Sequence, residues 1–173
     1  NDSDKLYWGP VECSGTVMRV SGCSRRFPFA QHWEVDLRNG AAHLTIWLEA
    51  FEEFEAQEYH VSIGLRPDYD RWQTDHESGT FPPFEPGLED WRHANRDYAP
   101  GSTVRASSPD FPSVILRSTA SDIPLRMTAL NTGSTDRARV LQALRTSESW
   151  RIRLGPGRHL YFQGLIRVEP KQE

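Results

Sequence analysis

The strongest constraint on the fold is the dipeptide Asn39-Gly40, which separates two runs of alternating apolar and polar residues. Apolar side chains occupy every second position of 33–37 before it and of 44–48 after it, and a third such run covers 59–65. This period is typical of strands with one face on a core and one face towards water. Asn-Gly favours a type I′ hairpin turn, because that turn needs a positive φ at both central residues. The middle of the chain is therefore predicted to form an antiparallel meander.

The remaining composition extends this prediction to the whole chain. Twelve glycines and twelve prolines among 173 residues indicate many turns, and this length is typical of one domain with a core of its own. The predicted fold is mainly β, either an antiparallel sandwich or a barrel-like meander, in a single domain over 1–173.

One segment shows a helical rather than a β pattern. Residues 134–146 begin with Ser134 and Thr135, either of which is a suitable N-cap. An apolar stripe at helical spacing then follows at Val140, Leu141 and Leu144. The sequence predicts one principal helix at about 134–146.

A long excursion without clear periodicity covers about 67–112. Loops of more than about 12–15 residues are uncommon in compact domains and are often functional. This one is rich in aromatic residues, which disordered segments lack, so we expect it to be ordered and packed on the sheet. Aromatic and arginine side chains dominate protein interfaces, and the predicted binding residues are Tyr69, Arg71, Trp72, Phe81, Phe84, Trp91 and Arg92. The alternative is that these rings fill a second small core beneath the loop.

The two cysteines, Cys13 and Cys23, are ten positions apart in polar surroundings rich in glycine and serine. Their even number and short spacing predict a disulfide between them, and the alternative is a pair of free thiols. A disulfide implies an oxidising compartment, so the sequence predicts an extracytoplasmic protein, either periplasmic or secreted. The start at Asn1 rather than Met fits both a removed signal peptide and a trimmed chain.

Several kinds of chemistry find no support in the sequence. There is no nucleophile elbow and no glycine-rich nucleotide loop, so we expect no cofactor, and the sequence favours a binding protein over an enzyme. His and carboxylate residues of the excursion, such as His76 and His93, lack the spacing of a metal site, so no metal is predicted. The net charge of -4 argues against a nucleic-acid partner. No apolar run has the roughly 18 residues of a membrane span.

Three functional interpretations follow from this pattern. The first is an extracytoplasmic binding protein that engages another protein, as an inhibitor or a toxin-neutralising immunity protein does. The second is a β-domain that binds a carbohydrate or another small ligand through the same aromatic residues. The third is a hydrolase whose site is not visible in the sequence.

Overall fold

The structure is a computed structural model, which describes residues 6–56, 59–146 and 152–171. The described part of the chain is mainly β, its strands pair antiparallel, and it contains no helix. It therefore has no helix long and apolar enough to cross a membrane.

The strands follow one another closely along the chain. The first eight are β1 (Leu6–Trp8), β2 (Glu12–Ser14), β3 (Val17–Ser24), β4 (Phe29–Arg38), β5 (Ala41–Ala50), β6 (Phe54–Ala56), β7 (His60–Leu65) and β8 (Arg71–Thr74). The others are β9 (Ser78–Thr80), β10 (Arg92–His93), β11 (Thr103–Ser107), β12 (Ser113–Ala120), β13 (Leu125–Asn131), β14 (Arg139–Arg145), β15 (Ile152–Leu154) and β16 (Gly157–Glu169).

The chain divides into two compact units, each built from separate segments. Unit 1 comprises Asn1–Tyr59, Thr119–Ile123 and Ser147–Leu165, and unit 2 comprises His60–Ser118, Pro124–Thr146 and Ile166–Glu173. This division does not test the sequence-based prediction of a single domain over 1–173, which remains a prediction.

Unit 1 is organised by the predicted hairpin. Asn39 and Gly40 connect β4 to β5 with φ values of 52° and 69°, which confirms the turn expected from the sequence. β5 continues the sheet order β1-β3-β4-β5-β16, and β2 pairs with β3. Leu48 and Ala50 of β5 pack with Phe29 of β4 in a buried cluster that Leu154 of β15 also joins. The opposite face of β3, β4 and β5 carries polar side chains.

Unit 2 contains two sheets, in the orders β12-β11-β8-β9 and β10-β13-β14-β7. β11 lies against β13 and β14, so the sheets face each other as in a sandwich, and in the described residues they remain open. Every residue of β13 is buried, and so are the first five residues of β14. Both faces of these two strands are therefore covered, because successive side chains of a strand point to opposite faces.

The prediction of a helix at 134–146 is wrong. Ser134–Asp136 form a turn, Arg137 has a φ of 46°, and the apolar stripe lies in β14, between β13 and β7. A central strand that is buried on both faces needs no alternation of apolar and polar residues. Residues with high helix propensity can occupy it because tertiary packing overrides that propensity.

The prediction of a Cys13–Cys23 disulfide is also wrong, since both thiols are free and exposed. Cys13 lies opposite Met18 across the β2–β3 hairpin, and Cys23 lies five positions further along β3. At about 3.3 Å per residue the two cysteines are therefore about 16 Å apart along the sheet. A disulfide needs Cα atoms within about 7 Å of each other.

The excursion at 67–112 is more regular than predicted. It contains β8, β9 and β11, which belong to one sheet of unit 2, and the short strand β10, which belongs to the other. The irregular part is confined mainly to 81–91 and 94–102.

The free thiols give a direct test of this register. We expect an aromatic disulfide reagent such as dithionitrobenzoate to titrate two thiols per chain in the native, unreduced protein, because both sulfurs are exposed. Replacing Cys13 by Ser should remove one of them. A titration of zero that becomes two only after reduction would contradict the structure.

Candidate functional site

The predicted binding residues separate into a buried and an exposed group. Tyr69, Trp72 and Phe81 are only 7%, 6% and 6% exposed. The Tyr69 hydroxyl donates to the carbonyl of Pro112 at 2.8 Å, and Trp72 Nε1 donates to that of Thr80 at 3.1 Å. These three side chains serve as core in the free protein, as the alternative interpretation of the excursion expected.

The buried group depends on Arg139 at the start of β14. Its Nε donates to the carbonyls of Pro67 and Tyr69 at 3.2 and 3.1 Å, and its Nη1 donates to that of Pro82 at 2.7 Å. Nη1 also bonds the side-chain oxygen of Asn131 at 2.7 Å. One guanidinium therefore fastens both ends of residues 67–84, which we call the inner segment, to the sheet of β13 and β14.

Aromatic rings complete the surroundings of this guanidinium. The carbon Cζ of Arg139 lies 4.3 Å from the ring centroid of Phe84 and 5.0 Å from that of Phe81. Burial, reinforced by the neighbouring charge of Arg137, lowers the pKa of Arg139. The cation is nevertheless well satisfied, since its Nε and Nη1 atoms donate to main-chain carbonyls and to the side-chain oxygen of Asn131.

The exposed group includes Arg71, Trp91 and Arg92, while Phe84 is half-buried. Trp91 is 47% exposed, and Tyr98, which the sequence did not single out, is 68% exposed. Its ring covers the guanidinium of Arg126 at 4.2 Å. Trp91, Arg92 and Tyr98 all belong to residues 85–100, which we call the outer segment.

The outer segment is held along the edge of β13 by specific hydrogen bonds. β10 pairs with the end of β13, and the buried side chain of Asn95 bonds the main chain at Met127 and Ala129 at 3.2 and 3.0 Å. Glu89 accepts hydrogen bonds from the Ser134 hydroxyl and the Thr135 amide, and the first of these lowers the pKa of the Glu89 carboxyl. The exposed rings therefore extend from an anchored main chain.

A glycine allows the closest approach of the outer segment. A Cβ at Gly133 would lie 2.5 and 2.6 Å from the carbonyl oxygen and Cα of Glu89. Those atoms belong to the main chain and have no rotamer by which to move away. Position 133 must therefore be glycine for the outer segment to lie where it does.

Sequence reasoning missed a second group of residues, on the polar face of unit 1. The β3–β4–β5 register places Ser21 beside His32 and His32 beside Trp47. Ser21 Oγ lies 2.8 Å from His32 Nδ1, and His32 Nε2 lies 3.0 Å from Glu49 Oε2. The sequence alternation already placed His32 on the polar face, but its contact with Ser21 depends on the register of β3, whose own pattern is irregular.

This polar face also holds an aromatic ring and a depression. The guanidinium of Arg158 in β16 lies 4.3 Å from the ring centroid of Trp47. A depression of about 350 Å³ is lined by, among others, Arg19, Ser21, His32, Glu34, Glu49 and Arg158. We call this region the unit 1 depression.

The side chains of the unit 1 depression are better suited to binding a ligand than to catalysing acyl transfer. The Ser21–His32–Glu49 chain can pass a proton, but an acyl-transfer site also needs free donors for an oxyanion. Here the main chains of β3 and β4 are engaged in sheet pairing. In the part of the chain that the structure describes, no group of three or more His, Cys, Asp or Glu side chains could hold a metal ion.

Comparison with known proteins assigns no family to the chain. No protein-family model matches it, and a search of curated protein sequences finds no match either. Functional inference therefore depends on the geometry of these two regions.

The role of Arg139 can be tested by stability. We expect Arg139→Met to lower the free energy of unfolding by about 3 kcal/mol or more, because the carbonyls of Pro67, Tyr69 and Pro82 would lose their charged donor. Arg139→Lys should recover only part of this loss, since an ammonium cannot reproduce the forked geometry. Arg117→Gln, at an exposed position of β12, is the control and should change stability by less than about 0.5 kcal/mol. Denaturant unfolding measures all three, and equal stability of Arg139→Met and wild type would contradict this role.

Proposed function

We propose that this chain is a binding protein that engages another protein through the outer segment. The observation that carries the proposal is the exposure of Trp91 and Tyr98, at 47% and 68%, in an excursion whose Tyr69, Trp72 and Phe81 are buried. Large rings that remain in water beside filled core positions are candidates for contact with a partner.

The main chain of the outer segment supports the same proposal. Ordering residues on binding costs affinity, and a surface that is already ordered avoids much of that cost. Asn95, Glu89 and the β10–β13 pairing fix the outer segment in the free protein. Arg92 lies directly after Trp91, and arginine, like tryptophan and tyrosine, is enriched among the residues that dominate interface energies.

The proposed role is that of an inhibitor or a toxin-neutralising immunity protein, because such a protein acts by occupying its partner and needs no reactive group of its own. An extracytoplasmic location is part of this proposal. The free thiols of Cys13 and Cys23 remove the main sequence argument for that location.

Paired substitutions test the proposed interface. A partner is first captured on the immobilised protein from extracts of its source, purified, and titrated against each variant. We expect Trp91→Ala and Tyr98→Ala each to weaken binding by about 2 kcal/mol, or about thirtyfold, with little change in melting temperature. Tyr7→Ala, which removes a ring that is 57% exposed in unit 1, is the matched control and should bind as the wild type does.

The comparison with a buried ring completes this test. Trp72→Ala should lower stability by about 3–5 kcal/mol, as expected for a core tryptophan. If Trp91→Ala and Tyr98→Ala destabilise the fold in the same way, or if Tyr7→Ala alone weakens capture, the outer segment is not the interface.

A second candidate function, the binding of a carbohydrate or another small polar ligand, is favoured by the unit 1 depression. Sugar sites combine a ring that packs on the C–H face of a sugar with polar groups that bond its hydroxyls. Trp47 stands there among His32, Glu49 and Arg158. The arrangement supplies both donors and acceptors in one place.

A glycan array followed by titration of tryptophan fluorescence tests this candidate. We expect a bound glycan to be lost when Trp47 is replaced by Ala and weakened at least about tenfold in Glu49→Gln, since a carboxylate acceptor becomes an amide. Trp91→Ala should leave that binding unchanged. Absence of any bound glycan, or equal binding by Trp47→Ala, would exclude a carbohydrate site in this depression.

A further inference from the structure

The outward face of the sheet β12-β11-β8 in unit 2 concentrates arginine and serine. Arg71 of β8 lies directly opposite Ser107 of β11. Ser113 begins β12, one step beyond the pair that Ala106 makes with Val114. Arg105 is two positions from Ser107 on the same strand, so it shares the face of Ser107.

The burial pattern fixes the direction of these side chains. Trp72, Val104 and Ala106, which alternate with them, are 6%, 0% and 0% exposed. Because the alternate positions fill the core, Arg71, Arg105 and Ser107 must face outward. The register that buries Trp72 therefore directs Arg71 towards solvent. This explains why these two adjacent predicted binding residues differ so strongly in exposure.

The same side chains line a depression of about 360 Å³ in unit 2. Its polar lining includes Arg71, Arg105, Ser107, Ser108, Ser113 and Lys171, and the ring of Phe111 borders it. None of the lining residues carries a carboxylate. The hydroxyls and cations come from β8, β11, the start of β12 and the two segments that follow β11 and β16.

The charges of this depression are only partly compensated. Arg105 pairs with Glu169 at 3.0 Å. Within the described residues, neither Arg71 nor Lys171 has an ion pair. The cations Arg71, Arg105 and Lys171 together with the carboxylate of Glu169 give a net charge of +2. This charge matches the charge of about -1.5 to -2 that a phosphate monoester carries at neutral pH.

We infer that this depression binds a tetrahedral oxyanion, a phosphate or sulfate group either free or as part of a larger molecule. Guanidinium groups donate two parallel hydrogen bonds to such an anion, an ammonium adds a point charge, and serine hydroxyls bond the remaining oxygens. A depression of this size exceeds one anion, so the Phe111 ring borders the group to which the anion is attached. The guanidinium of Arg66 lies over the Phe111 ring, with its Cζ 4.7 Å from the ring centroid, and packs on that ring.

Titration with inorganic phosphate and inorganic sulfate, each at constant ionic strength maintained with sodium chloride, tests the inference. Binding is followed by calorimetry and by shifts of backbone NMR signals. We expect saturable binding with shifts confined to β8, β11, β12 and their loops. Arg71→Gln and Arg105→Gln should each weaken it at least about tenfold, because each removes a charged donor.

Controls separate this site from general charge effects. Arg38→Gln removes an exposed arginine of unit 1 and should bind the anion as the wild type does. Arg71→Lys keeps the charge and should bind more tightly than Arg71→Gln, which shows that a loss is not caused by misfolding. Equal melting temperatures of the variants without ligand confirm the fold.

Two further binding experiments distinguish between a phosphate ester and a sulfate ester as the source of the anion. A phosphoserine peptide and a sulfated monosaccharide, each compared with its unmodified form, should identify which ester the site prefers. Tighter binding of either modified form, lost in Arg71→Gln, supports the inference and names the ligand class. Unsaturable binding of both inorganic anions, or saturable binding that Arg71→Gln and Arg105→Gln leave unchanged, would overturn it.

Discussion

The arrangement of unit 2 depends on one buried cation. Arg139 donates to carbonyls at both ends of the inner segment, at Pro67, Tyr69 and Pro82, and its own strand lies in the centre of a sheet buried on both faces. Carbonyl groups of an irregular main chain that packs on a core need hydrogen-bond donors. The guanidinium supplies those donors, which lets Trp72 and Phe81 fill the space beneath.

The outer segment is a consequence of that packing. With the inner segment fixed against β14, the following residues reach the edge of β13, where Asn95 and Glu89 attach them. The rings of Trp91 and Tyr98 in this segment remain exposed to water. The excursion thus has an inner segment whose large rings Tyr69, Trp72 and Phe81 are buried and an outer segment whose Trp91 and Tyr98 rings are exposed.

The parts of the fold that the sequence predicts correctly are those fixed by local rules. The hairpin at Asn39-Gly40 requires only turn geometry and alternation. The helix predicted at 134–146 fails because Leu, Ala and Gln fit both a helix and a central strand, and the choice is made by β13 and β7. The disulfide fails for a related reason, because spacing along the chain does not reveal that the hairpin register separates Cys13 from Cys23.

The candidate sites show the same limit. Residue type identifies the aromatic excursion, but it cannot separate buried Trp72 from exposed Trp91, since their difference lies in strand register. Arg71 was predicted for its type, yet its neighbours Arg105 and Ser107 become visible only when β8 and β11 are paired. The Ser21–His32–Glu49 chain likewise requires β3, β4 and β5 in register, and no local pattern of β3 indicates its register.

Hydrogen exchange of the native protein, followed by mass spectrometry, tests the central claim that the inner segment is core. The amide of Phe81 bonds the carbonyl of Asp70, and β8 pairs with both β9 and β11. Amides of 71–81 should therefore exchange as slowly as those of 125–131, through global unfolding, while amides of 85–91 exchange faster. If the amides of 71–81 exchange at the same rate as those of 85–91, and orders of magnitude faster than those of 125–131, the inner segment is not core and the account is contradicted.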